Sequence, residues 1–216
     1  MSKQKESLVQ HHVAHHFDTA EQEFSTAKLG MWVFLVQELL FFGALFVAFF
    51  VFKYLYPEMY VEAHHHLSWK MGALNTIFLI TSSFTMVMGV RSAQTNQRRA
   101  TKNYLFATML LACSFLVVKY FEYAAKFHHG LLPPHFFFGE GVHQTLPIFF
   151  GLYFVMTGLH GIHVLIGIGL IAWLMYRNSR GEFNSEFYTP VEMVGLYWHF
   201  VDLVWIFLFP LFYLVG

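Results

Sequence analysis

Residues 35–50 read LVQELLFFGALFVAFF, a run in which one carboxylate, Glu38, interrupts an otherwise almost wholly apolar stretch. An ionised group at the centre of a lipid-exposed helix costs about 2.5–3.5 kcal/mol on insertion scales. Glu38 is therefore expected to face protein or to carry its proton, and the rest of the chain should supply its neighbour. The run belongs to an apolar segment at 28–54, long enough to cross a bilayer, because about 20 helical residues at ~1.5 Å each span the hydrocarbon. Tyr54, Tyr56 and Tyr60 follow it, as aromatic residues do at a membrane–water boundary.

Outward from this segment the same composition continues. Of the 216 residues, 56% are apolar, 20% aromatic and only 12% charged, against about 25% charged in soluble domains. The 27 phenylalanines suit helices that meet lipid outside and each other inside. Four further spans are expected at about 70–91, 103–126, 147–176 and 190–215, giving an all-α integral membrane bundle of five transmembrane helices. The 70–91 span carries Asn75, Thr76, Thr81, Ser82, Ser83 and Thr85, a density of small hydroxyl residues that argues for packing on protein. The 147–176 span has glycines at 151, 158, 161, 167 and 169, which would admit close approach of another backbone. Residues 1–27 are read as a retained polar, His-rich tail and 28–216 as the transmembrane domain, since the tail lacks the apolar core of a signal peptide.

Five spans put the chain ends on opposite sides. Lys3, Lys5, Lys28, Arg91, Arg98, Arg99, Lys102, Arg177 and Arg180 fall on the amino-terminal side, against Lys53, Lys70 and Lys126 on the other. The positive-inside rule then makes the amino terminus cytoplasmic and the carboxyl terminus outside. The 13 basic and 13 acidic residues cancel and suggest no nucleic-acid partner. Cys113, the sole cysteine, excludes an intrachain disulfide and a thiolate metal cage, and is expected to be a small packing residue.

Glu38, His160, His163, His199 and Asp202 all fall near the middle of their spans, so they could converge inside the bundle. The pairs His160/His163 and His199/Asp202 are each spaced i,i+3 on one side of a helix. Three readings compete: a metal site on the HxxH face, a proton relay, and polar contacts that lock helices together. Lys119 and Glu122, with Lys126 beyond, read as an intrahelical ion pair near the outer face. His11, His12, His15 and His16 in the tail, and His64, His65 and His66 in a loop, read as solvated tracts or as metal-scavenging ones.

Five ordered blocks then carry a family likeness: WVFLVQELLFFGALFVAFF, LNTIFLITSSFT, FEY at 121–123, YFVMTGLHGIHVLIG and YWHFVDLVWIFLFPLFYLVG. Over nearly all of 28–216 the chain resembles subunit III of haem–copper respiratory oxidases, in the five-span bacterial form of cytochrome c oxidase. The resemblance implies a subunit without catalytic residues or metal of its own. It would pack on subunit I, with subunit II and others in the complex, bind phospholipid and support proton uptake in a bacterial plasma membrane. Haem and copper would reside in the partner subunits. By motif, Glu38 corresponds to the family's membrane-buried carboxylate, Glu122 to the acidic residue of its E-Y pair, and His160, His163, His199 and Asp202 to its polar core. The two amino-terminal helices of seven-span members, whose cleft holds lipids, have no counterpart among these segments. The histidine-bearing tail resembles that of ubiquinol oxidase subunit III, a branch that commonly lacks the carboxylate of Glu38, so the helix-one motif favours the cytochrome c branch. Subunit III of a ubiquinol oxidase or a nitric-oxide-reductase-associated homologue is the alternative within the superfamily, and a free-standing His-rich membrane metalloenzyme the alternative of another class.

Overall fold

The computed structural model describes residues 17–64, 67–128 and 146–214, and these are helical almost throughout, with no strand among them. The elements are α1 (Ala20–Leu55), α2 (Pro57–His64), α3 (Trp69–Gln94), α4 (Arg98–His128), α5 (Leu146–Arg180) and α6 (Thr189–Phe209), the last running into a π-helical turn at Pro210–Leu214. Five of these helices are long and apolar enough to cross a membrane. The helices α1, α3, α4 and α5 extend beyond the expected spans, because end turns remain helical where water replaces lipid. The helix α1 starts at Ala20, with Thr19 Oγ1 accepting from the Gln22 amide at 3.1 Å, an N-cap that satisfies one orphan donor.

Sequence reading gave a plain polar connection between the first two spans, where the structure has α2. Pro57 opens that short helix, a position where its missing N–H costs nothing. Tyr60 anchors α2: its ring meets Phe49, Phe149 and Lys53, and its hydroxyl donates to the Phe49 carbonyl at 3.1 Å. Burial raises the Tyr60 phenol pKa above its ordinary value.

The α3–α4 turn closes on Asn96, whose φ of 61° lies in the left-handed region that asparagine tolerates. The Gln97 amide donates to Ser92 O at 2.8 Å and the Asn96 amide to Ala93 O at 3.1 Å, the paired bonds of a Schellman end. So short a turn forces α3 and α4 into an antiparallel hairpin, the most extensive helix pairing among the described residues.

Around it α3, α4, α5 and α6 form a ring in which each packs on two neighbours, while α1 lies outside against α6 and α5. Trp205 sits inside the ring, edge-on to Phe115 of α4 and alongside His160 of α5, and its indole donates to Thr76 Oγ1 of α3 at 3.1 Å. Trp198 donates in the same way to Ser82 Oγ. The hydroxyl-rich α3 thus packs on protein, as its composition indicated. Of the α5 glycines only Gly167 serves a close approach, where an added Cβ would lie 2.5 Å from the Trp198 ring; Gly151, Gly158, Gly161 and Gly169 face open space. Cys113 is exposed on the outer face of α4, not packed inside.

Candidate functional site

The mid-span polar residues do not converge on one centre. His160 stands alone inside the ring, and the other polar residues singled out in the sequence divide among three places, because each group lies on a helix face directed at a different neighbour.

The first is the seam between α1 and α5. Glu38 Oε2 lies 3.1 Å from His163 Nε2, with both side chains largely buried. The other imidazole nitrogen, Nδ1, is 2.8 Å from the Leu159 carbonyl oxygen. A carbonyl only accepts, so Nδ1 carries a hydrogen. In a neutral ring Nε2 is then bare, and its contact with a carboxylate oxygen requires one shared proton. Either a carboxylic acid donates to a neutral imidazole or an imidazolium donates to a carboxylate. Both forms hold the same proton number, and the pair can move that proton across 3.1 Å without any change in net charge. Phe42 of α1 stands edge-on to the imidazole, while Tyr197 of α6 donates to the His163 backbone carbonyl at 2.9 Å and holds the chain that carries the ring. Composition alone gave Tyr197 no role.

His160, one turn earlier on α5, does not join this pair. It is fully buried between Phe115 and Trp205, and neither ring nitrogen has a hydrogen-bond partner among the described residues. The i,i+3 spacing turns it about 60° from His163 around the helix, enough to send one imidazole into the ring and the other toward α1. The HxxH pair therefore does not close on a common ligand. Among the described residues no three His, Cys, Asp or Glu side chains come together in a way that could hold a metal ion.

The second place is a buried cage near the end of α4. Lys119 Nζ donates to Glu122 Oε2 (3.0 Å), Tyr153 Oη (3.1 Å) and Tyr213 Oη (2.9 Å), which uses all three of its hydrogens. Glu122 Oε1 receives Lys126 Nζ (3.1 Å), Tyr153 Oη (3.0 Å) and Tyr213 Oη. The Lys119 ammonium also lies 4.8 Å from the Trp205 ring. Helix periodicity revealed the Lys119–Glu122–Lys126 ladder. It could not reveal Tyr153 and Tyr213, which arrive from α5 and the π-helical turn and enclose the ladder; a hydroxyl-bearing aromatic in each facing span was the only hint.

The third place is a groove of about 400 Å³ between α3 and α6, with Ser83, His199 and Asp202 in its floor. Ser83 Oγ is 2.7 Å from His199 Nδ1. Asp202 is 3% exposed, and neither carboxyl oxygen has a hydrogen-bond partner among the described residues. Ser83 Oγ lies within reach of both the imidazole and the Asp202 carboxyl, so its one hydrogen goes to the imidazole where Nδ1 is bare and is free for the carboxyl where Nδ1 carries its own. Ser83 had been counted only among the packing hydroxyls of its span.

The histidine tracts at 11–16 and 65–66 lie outside the described residues, and so do residues 129–145.

Comparison with known proteins accords with this architecture. Residues 9–216 match the family model for cytochrome c oxidase subunit III. The chain is 32% identical over 199 residues to the cytochrome c oxidase subunit 3 of Thermostichus vulcanus, covering 92% of each chain. It is 28% identical over 205 residues to a protein of Staphylococcus saprophyticus named probable quinol oxidase subunit 3, covering 95% of this chain and 96% of that one. It is 29% identical to a protein of Aeropyrum pernix named heme-copper oxidase subunit I+III, covering 87% of this chain and 22% of that one. A match across nearly the whole length, on a five-span bundle whose polar residues brace helices in separate places, makes this chain a member of the cytochrome c oxidase subunit III family, a multi-pass membrane subunit of the haem–copper oxidases.

Proposed function

We propose that this chain is the subunit III of a cytochrome c oxidase in a bacterial plasma membrane, that it packs on subunit I, and that it supports proton uptake and turnover without a redox centre of its own. The observation that carries this reading is the family match over residues 9–216. The Aeropyrum protein, whose name joins subunits I and III in one chain, supports adjacency to subunit I. The Glu38–His163 pair supplies a chemical basis for a protonic contribution, since two groups that share one proton in an apolar seam can exchange it at no cost in net charge. Phospholipid belongs on the outer face of α1, which buries only Phe42 and Phe49 and exposes Val33, Val36, Leu40, Val47 and Val51 with one carboxamide, Gln37, among them. The polar tail at 1–27 and the transmembrane domain at 28–216 are the two parts of this reading, with the tail in the cytoplasm.

A quinol oxidase is the second reading, favoured by the extent of the Staphylococcus match. Glu38 weighs toward the cytochrome c branch. Purification of the chain from its own membranes tests the assignment. A copurifying subunit that contains haem and copper is the expected result, and a dinuclear copper site in subunit II selects cytochrome c as donor. Isolation of the chain alone with stoichiometric iron or zinc would replace the assignment with a metalloenzyme.

A further inference from the structure

We infer that the α3–α6 groove is the seat of a transmembrane helix from a neighbouring oxidase subunit, and that this helix offers a hydrogen-bonding side chain to His199 at mid-membrane depth. The inference rests on the subunit assignment above.

The two helices run antiparallel, with Gly72 against Phe209, Ser82 against Trp198 and Val90 against Gly195. Ser83, His199 and Asp202 therefore sit near the midpoint of both. The rim is apolar and exposed, with Phe84 on one side and Ile206 on the other, a surface that suits lipid and an apolar helix equally. The floor separates the two occupants. His199 uses Nδ1 on Ser83, and its Nε2 has no partner among the described residues, while Asp202 beside it is buried with both oxygens unpaired. Lipid at mid-bilayer is acyl chain, which neither donates nor accepts, so lipid would leave this cluster unsatisfied in hydrocarbon. A headgroup cannot reach that depth. A helix carrying a hydroxyl or carboxamide satisfies it, because such a group can donate to or accept from the imidazole edge in either tautomer. The Ser83 hydroxyl, placed between imidazole and carboxyl, then rotates to complete the chain to Asp202. By contrast the carboxyl-terminal half of α1 exposes Val47, Phe50 and Val51, an apolar patch on which lipid leaves nothing unpaired.

The test uses the whole oxidase purified from membranes. A photoreactive phenylalanine analogue is placed at position 84 or 206 in the groove, or at 47 on α1 as the control. Groove positions should give an adduct with another oxidase subunit in at least several-fold greater yield than position 47. Adducts with lipid alone, or with a second copy of this chain, overturn the inference. In parallel, His199→Leu should lower by about tenfold the fraction of this chain retained on the complex after a detergent wash, while His199→Gln, which keeps a donor and an acceptor, retains it. Equal retention of both variants also overturns it. If no haem-bearing subunit copurifies with the parent chain, the assignment fails and not the docking site alone.

Discussion

At the scale of single residues, the burial of Glu38 is explained by one partner. His163 is committed to the Leu159 carbonyl through Nδ1, so its Nε2 accepts a donor in the neutral state. Glu38→Gln supplies that donor from its amide and should shift the midpoint for thermal loss of this subunit from the detergent-solubilised complex only slightly. Glu38→Ala leaves a buried imidazole edge unpaired and should cost about 1–3 kcal/mol. Matching melts for the two variants would show that the contact contributes nothing. If Gln assembles normally yet activity decays faster during sustained turnover, the shared proton is the missing element. A second test at this scale is steric. A Cβ at Gly167 would meet two Trp198 ring atoms at 2.5 and 2.7 Å, so Gly167→Ala should destabilise by about 1–3 kcal/mol through overpacking. Gly161→Ala, which meets nothing within 4 Å, should be neutral or mildly stabilising in the same melt. The sequence singled out Glu38 and every mid-span histidine because a polar group in an apolar run is visible without neighbours. It could not tell Gly167 from Gly161, since the difference lies wholly in what α6 brings opposite.

At the scale of elements, α4 shows how far periodicity reaches. An i,i+3 and i,i+4 ladder is legible from spacing, and both contacts form at 3.0 and 3.1 Å. Its burial is not legible, because Tyr153 and Tyr213 that cover it are 31 and 91 residues away from Glu122. That burial sets the expected cost. Removing a partner from a buried ion pair costs about 3–5 kcal/mol, since the other charge is left without compensation. Glu122→Leu leaves two ammonium groups together in the cage and should largely abolish accumulation of the chain in membranes. A double change, Lys119→Met with Glu122→Leu, removes one cation with the carboxylate and should recover part of that loss. If the single and double variants accumulate alike, the cage does not hold the ends of α4, α5 and the π-helical turn together. Helix positions were legible in the same partial way: the five spans follow from apolar length, whereas α2 rests on Tyr60 packing against Phe49 and Phe149, a tertiary contact no local pattern carries.

At the scale of the whole molecule, the basic residues are gathered at one end of the bundle. Lys28 at the start of the α1 span bonds Glu192 of α6 at 3.1 Å, and Asn178 of α5 donates to the Arg98 carbonyl at 3.1 Å. Lys28, Arg98 and the cluster at Arg177 and Arg180 therefore share a layer with the α3–α4 turn. The opposite layer holds α2 and the Glu122 cage, where Lys119 and Lys126 are neutralised in part by a buried carboxylate. The lysine and arginine count drawn from the sequence, nine against three, has the same asymmetry. The basic layer is thus expected on the cytoplasmic side. Alkaline phosphatase, which folds only outside the cytoplasm, should be active when fused after residue 214 and inactive when inserted in the turn at 95–97. The reverse pattern would invert the molecule and place the Glu122 cage, not the basic layer, beside the cytoplasmic face of the oxidase.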